Sequence, residues 1–109
     1  MMDELDEDGS PCPPLPEIAG AEFREMKIVN RKGLHARATA KFVQCVDSFE
    51  AEITVTRCGE TVGGDSIMGI LTLGAGLGST ITVSARGAQA SAALDALSAL
   101  VAARFGEDE

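Results

Sequence analysis

Gly33-Leu34-His35-Ala36-Arg37 is the stretch whose reading decides the fold, because a strand pattern ends just before it and a helical one begins within it. After it, Phe42, Val43, Val46 and Phe49 recur at helical spacing and make one apolar stripe over residues 36–49, with Arg37, Lys41, Gln44 and Ser48 on the opposite side. Before it, Phe23, Met26, Ile28 and Val29 read as a short strand, ended by the loop Asn30-Arg31-Lys32-Gly33. His35, the only histidine of the chain, is thereby set at a helix entrance. The first backbone N–H groups there lack intrahelical partners and the macrodipole is positive, so an anion is stabilised without further machinery. A lone histidine is more often an ordinary surface or core residue. This one has neighbours suited to phosphate chemistry: a neutral imidazole is a competent nucleophile, and Arg37 can offer a planar fork of donors to a phosphoryl group on it.

Outward from this stretch, residues 51–57 alternate apolar Ala51, Ile53 and Val55 with polar Glu52, Thr54 and Thr56, as a half-buried strand does. Cys58-Gly59 turns the chain, Glu60-Thr61-Val62 returns as the second arm of a hairpin, and Gly63-Gly64 ends it. Ser66 precedes Ile67-Met68-Gly69-Ile70-Leu71; serine is a preferred helix N-cap, and a phosphoserine there would meet the same free amides. Gly74-Ala75-Gly76-Leu77-Gly78 lacks the G-x-G-x-x-G spacing and precedes a strand, so it reads as a turn rather than a nucleotide loop. Residues 79–85 form the last strand, with Ile81, Val83 and Ala85 toward the core. Residues 89–105 form the last helix, its stripe running from Ala90 to Phe105 with Gly106 as C-terminal cap. The order β-α-β-β-short α-β-α predicts an α+β open-faced sandwich, one sheet covered by helices on a single side.

The 109 residues suit one small domain, divided into an acidic, proline-bearing extension over 1–21 that should be disordered, a body over 22–106 and an acidic tail over 107–109. Nine of the 17 acids lie in residues 1–20 and 107–109, so the net charge of −8 belongs to the ends. The remainder stands at about +1 by formal charge. Between Glu25 and Asp47 there is no acid, while Lys27, Arg31, Lys32, Arg37 and Lys41 surround His35, a balance that favours phosphate and acidic partners. The acidic ends, and four Phe with no Tyr or Trp, argue against nucleic acid. No apolar run approaches the ~18 residues of a membrane span, and the acidic N-terminus is unlike a signal peptide, so a cytoplasmic protein without membrane insertion is expected. Cys12, Cys45 and Cys58 are irregularly spaced and His35 supplies no second ligand near them. The thiols therefore read as free, with no metal and no other cofactor.

Gly33-Leu34-His35-Ala36-Arg37 followed by Lys41-Phe42-Val43 resembles the active-site segment of the histidine-containing phosphocarrier (HPr) family of bacterial phosphotransferase systems. Ser66-Ile67-Met68-Gly69 resembles the regulatory serine segment of the same family, and the likeness extends over roughly residues 22 to 106. The resemblance implies a four-stranded antiparallel sheet in the order 1-4-2-3. It also implies a phosphoryl group on Nδ1 of His35, a backbone N–H from Ala36, phosphate stabilisation by Arg37, regulation at Ser66, and a partner surface of Arg31, Lys32, Lys41, Ile67, Met68 and Leu71. The implied donor is Enzyme I, charged from phosphoenolpyruvate. The implied acceptors are Enzyme IIA proteins, HPr kinase/phosphorylase would modify Ser66, and the protein would act as a monomeric carrier rather than an enzyme. The alternative is a regulatory interaction module of a nitrogen-related phosphotransferase branch with no sugar transported. Two positions depart from the family pattern: Ala38 stands where proline commonly follows the arginine, and Asp65 where a basic residue often precedes the serine.

Overall fold

The computed structural model describes residues 20–108, so nearly all of the extension over 1–21 lies outside the described residues. The elements run β1 (Glu22–Lys27), α1 (Ala36–Asp47), β2 (Glu52–Arg57), β3 (Glu60–Gly63), α2 (Ile67–Thr72), β4 (Thr80–Arg86) and α3 (Ala90–Ala102). Alternation along the strands builds a four-stranded antiparallel sheet in the order β1-β4-β2-β3. Its register puts Met26 opposite Ile81, Ile53 opposite Ala85, and Val55 between Val83 and Val62, so one face is apolar. The three helices cover that face: α3 lies on β1 and β4, α1 packs against α2 and α3, and α2 against β3. The other face carries a row of Phe23, Ser84 and Thr54 and a row of Glu25, Thr82, Thr56 and Thr61, with hydroxyl pairs Thr54–Ser84 at 2.5 Å and Thr56–Thr61 at 2.8 Å. The open-faced α+β sandwich read from the sequence is the observed fold.

The α1 stripe buries Phe42, Val43 and Val46, with Phe42 fully enclosed; removing its ring should cost about 3–5 kcal/mol by loss of burial and the cavity left behind. Three local features differ from the sequence reading. Phe23 falls on the open face at 42% exposure, because strand parity groups Met26 with Arg24, whose guanidinium reaches Asp95 on α3 at 2.7 Å. β1 also stops at Lys27: Ile28 turns inward, bonded through its N–H to Ser79 O and through its carbonyl to Gly78 N, both at 2.8 Å.

The third difference lies at the end of α3, which stops at Ala102. Arg104 (φ 58°), Phe105 (φ 55°) and Gly106 (φ 79°) then follow in the left-handed region. Phe105 is buried as its place in the stripe predicts, but as the anchor of a hooked turn rather than as helix. Cys45 is free, its thiol pushed up by burial, whereas Cys58 is disulfide-bonded and corrects the expectation of a free thiol there. Among the described residues no helix is long and apolar enough to cross a membrane, and no cluster of metal-ligating side chains occurs.

Candidate functional site

The loop that delivers His35 is fixed by a close backbone approach. Gly33 has φ +67°, and a Cβ on it would meet Ala75 O at 2.6 Å and Gly76 Cα at 2.7 Å. Leu34 N–H donates to Ala75 O at 2.9 Å, its side chain is buried, and fully buried Asn30 donates from Nδ2 to Gly33 O at 2.8 Å. Held this way, His35 takes the N-cap position of α1 in an extended conformation (φ −81°, ψ −179°), its carbonyl accepting from Thr39 N at 2.8 Å. Its side chain makes no capping hydrogen bond, so the first turn of α1 keeps its amides uncovered. Ala36 and Arg37 in that turn are exposed, and Arg31, Lys32, His35, Ala36 and Arg37 line one cleft of about 680 Å³ together with Glu107 and Asp108.

The His35 ring points at the C-terminal hook. Its Nε2 lies 2.5 Å from Glu107 Oε2, while Glu107 Oε1 accepts from Asn30 Nδ2 at 3.1 Å. These two hydrogen bonds, that from His35 the stronger, hold the Glu107 carboxyl below the usual carboxylate range, with smaller help from the charges of His35 and Lys32. No hydrogen bond reaches Nδ1 from the described residues. Lys41 is placed differently from Arg31 and Lys32: its Nζ donates to Phe105 O at 2.6 Å, holding the hook.

Ser66 occupies the N-cap of α2, its Oγ accepting from Gly69 N at 3.0 Å, as the preference of serine for that position predicts. Beside it Ile67 and Met68 are exposed at 43% and 71%, Leu71 is half-buried, and Ile70 is the residue that enters the core. The fold thus gathers His35, Ala36, Arg37, Arg31 and Lys32 at one helix start and Ser66, Ile67 and Met68 at another, on helices packed together. Sequence reasoning missed Asn30 and Glu107. No local signal carries them, since the contact of Glu107 with His35 spans 72 residues and depends on a left-handed turn.

A family model described as the PTS HPr component phosphorylation site matches residues 23–103. The chain is 46% identical to the phosphocarrier protein HPr of Cupriavidus necator over 86 residues, 79% of this chain and 97% of that one. It is 44% identical to the phosphocarrier protein NPr of Shewanella violacea over 84 residues, 77% of this chain and 92% of that one. Among solved structures, HPr-C-His from Thermoanaerobacter tengcongensis superposes with TM-score 0.78 at 38% identity, over 81% of this chain and 99% of the other. An HPr dimer from the same organism matches with TM-score 0.64 at 36% identity, over 85% of this chain and 100% of that one.

Proposed function

Because the chain belongs to the HPr family of phosphotransferase-system phosphocarriers, we propose that it carries a phosphoryl group on Nδ1 of His35, received from Enzyme I and passed to Enzyme IIA proteins. The observation that carries this reading is the uncapped start of α1, where the ring stands beside free amides in a basic cleft. A dianionic phosphoryl group there meets the positive end of the helix, a contribution of about 0.3–1 kcal/mol that rises toward 2 where the site is partly buried. The N–H of Ala36 and the guanidinium of Arg37 add charge-assisted hydrogen bonds to the same oxygens. The protein is then a covalent carrier and not an enzyme, since each phosphoryl group taken must be handed on before the ring can accept another. On this reading the protein acts as a monomer in the cytoplasm.

Docking uses the two helix starts together. Arg31, Lys32 and Arg37 complement an acidic partner, and Lys41 contributes through the hook it holds. Ile67 and Met68 supply the exposed apolar contacts, with Leu71 at their edge. Phosphorylation of Ser66 by HPr kinase/phosphorylase would place a charge of about −1.5 to −2 among those contacts and weaken binding of acidic partners. The NPr relative favours a second reading, a nitrogen-related branch whose phosphorylation state regulates partners and moves no sugar. Incubation with Enzyme I and radiolabelled phosphoenolpyruvate should give an acid-labile, base-stable label that His35→Ala abolishes. An unlabelled wild type, or a labelled His35→Ala, contradicts the reading. Chasing the label into sugar-specific or nitrogen-related Enzyme IIA proteins separates the two branches.

A further inference from the structure

Glu107 lies beyond residue 103, where the family match ends, yet its carboxylate is the one side-chain partner of His35 among the described residues. The contact is built rather than incidental. Phe105 is locked into the core at 1% exposure, Lys41 Nζ clamps its carbonyl at 2.6 Å, and Arg104 and Phe105 hold left-handed backbone that non-glycine residues rarely adopt. This hook turns the chain back so that Glu107 meets His35 Nε2 at 2.5 Å, and buried Asn30 secures the other carboxylate oxygen at 3.1 Å.

We propose that Glu107 is a positioning residue that holds the His35 imidazole in the Nε2–H tautomer and so leaves the lone pair on Nδ1, the ring nitrogen that attacks phosphorus. The inference rests on the carrier reading of His35. A neutral imidazole has one N–H, and the hydrogen bond made by one ring nitrogen decides which nitrogen carries it. A carboxylate can only accept, so Nε2 donates and Nδ1 is left as nucleophile. In the transfer, the Nδ1 lone pair forms the bond to phosphorus as the bond from phosphorus to the donor protein's leaving atom breaks, and that atom keeps the electron pair. The ring gains a positive charge, its Nε2 proton stays bonded toward Glu107, and the carboxylate offsets the charge at the moment it develops. Delivery to an acceptor reverses these steps, the Nδ1–phosphorus bond breaking with its electron pair returning to the ring.

Ring 15N shifts and transfer rates from Enzyme I, measured on the full chain as wild type, Glu107→Gln and Glu107→Ala, test the assignment. The wild type should show the Nε2–H form. Both variants should move toward a mixture of tautomers and accept phosphoryl about tenfold more slowly, the effect of losing one charge-assisted hydrogen bond. Glu60→Gln, on the β2–β3 hairpin, removes the same charge without the contact and should leave both readouts as in wild type. Ring shifts unchanged in Glu107→Ala, transfer at the wild-type rate in that variant, or equal slowing by Glu60→Gln would overturn the proposal. A wild type that takes no label would remove the carrier reading instead, while the ring shifts still decide whether Glu107 sets the tautomer.

Discussion

The packed helices α1 and α2 start in opposite ways. α1 begins at His35 with no side chain over its amides, whereas α2 begins at Ser66 with a hydroxyl closed onto Gly69 N at 3.0 Å. Around His35 the exposed cations Arg31, Lys32 and Arg37 outnumber the carboxylates Glu107 and Asp108; around Ser66 the exposed side chains are Asp65 and the apolar pair Ile67 and Met68. A helix start left open is a place for an anion, and a helix start already capped is a structural joint that a modification must first disrupt. On the proposed reading, the same backbone feature would support transfer at one site and, at the other, adhesion and its control.

The largest expected effect falls on the open start. Arg37→Ala should slow acceptance from Enzyme I on the order of a hundredfold, as for loss of one donor to developing charge, with Arg37→Lys in between. Equal rates for wild type and Arg37→Ala in a single-turnover assay would take Arg37 out of the site. Next comes the support beneath it. Gly33→Ala drives a Cβ onto Ala75 O at 2.6 Å and forces alanine to a φ of +67°, so denaturant titration should show a loss of about 2 kcal/mol. Stability equal to wild type would mean that the 74–78 loop does not brace the entrance.

At the capped start the expected changes are smaller and of two kinds. Ser66→Ala should lose about 1 kcal/mol in thermal or chemical unfolding and transfer normally. Ser66→Asp keeps a capping acceptor but adds charge beside Ile67 and Met68, so it should bind partners more weakly. Should Ser66→Asp bind and transfer like wild type, Ser66 is a cap only and its regulatory role is to be dropped.

The smallest effect concerns the hook. The Glu107 carboxyl is held below the range it has in the unfolded chain, so its contribution to stability is fully present above that ordinary value and is lost as pH falls through the lowered one. Wild type should therefore exceed Glu107→Gln in stability at neutral pH, and the gap should close on acidification. Curves that stay parallel into acid would show that the carboxylate is not paired in solution.

The distance between interacting residues explains which parts were readable from sequence. The His35 segment, the α1 stripe and the Ser66 cap are local patterns, and the structure has each within a residue or two of where the sequence puts it. Strand pairing is not local: apolar alternation tells which face is buried, but the neighbour of each strand came from the family resemblance. The misreadings sit where an apolar residue reaches the core without regular structure. Ile28 and Phe105 are both buried, and in each case the pattern saw the burial and extended the element to reach it. Glu107, counted as part of an acidic tail, becomes a site residue only because two non-glycine residues turn left-handed, which no periodicity encodes.

The central claim is that phosphoenolpyruvate-derived phosphate rests at the open start of α1, on one particular ring nitrogen. The most direct measurement is 31P–15N NMR of the 15N-labelled protein after phosphorylation by Enzyme I. A 31P coupling to Nδ1 of His35, with Ser66 unmodified, is the predicted result. Phosphorus on Nε2 of His35, on Ser66 or on any other residue would contradict it.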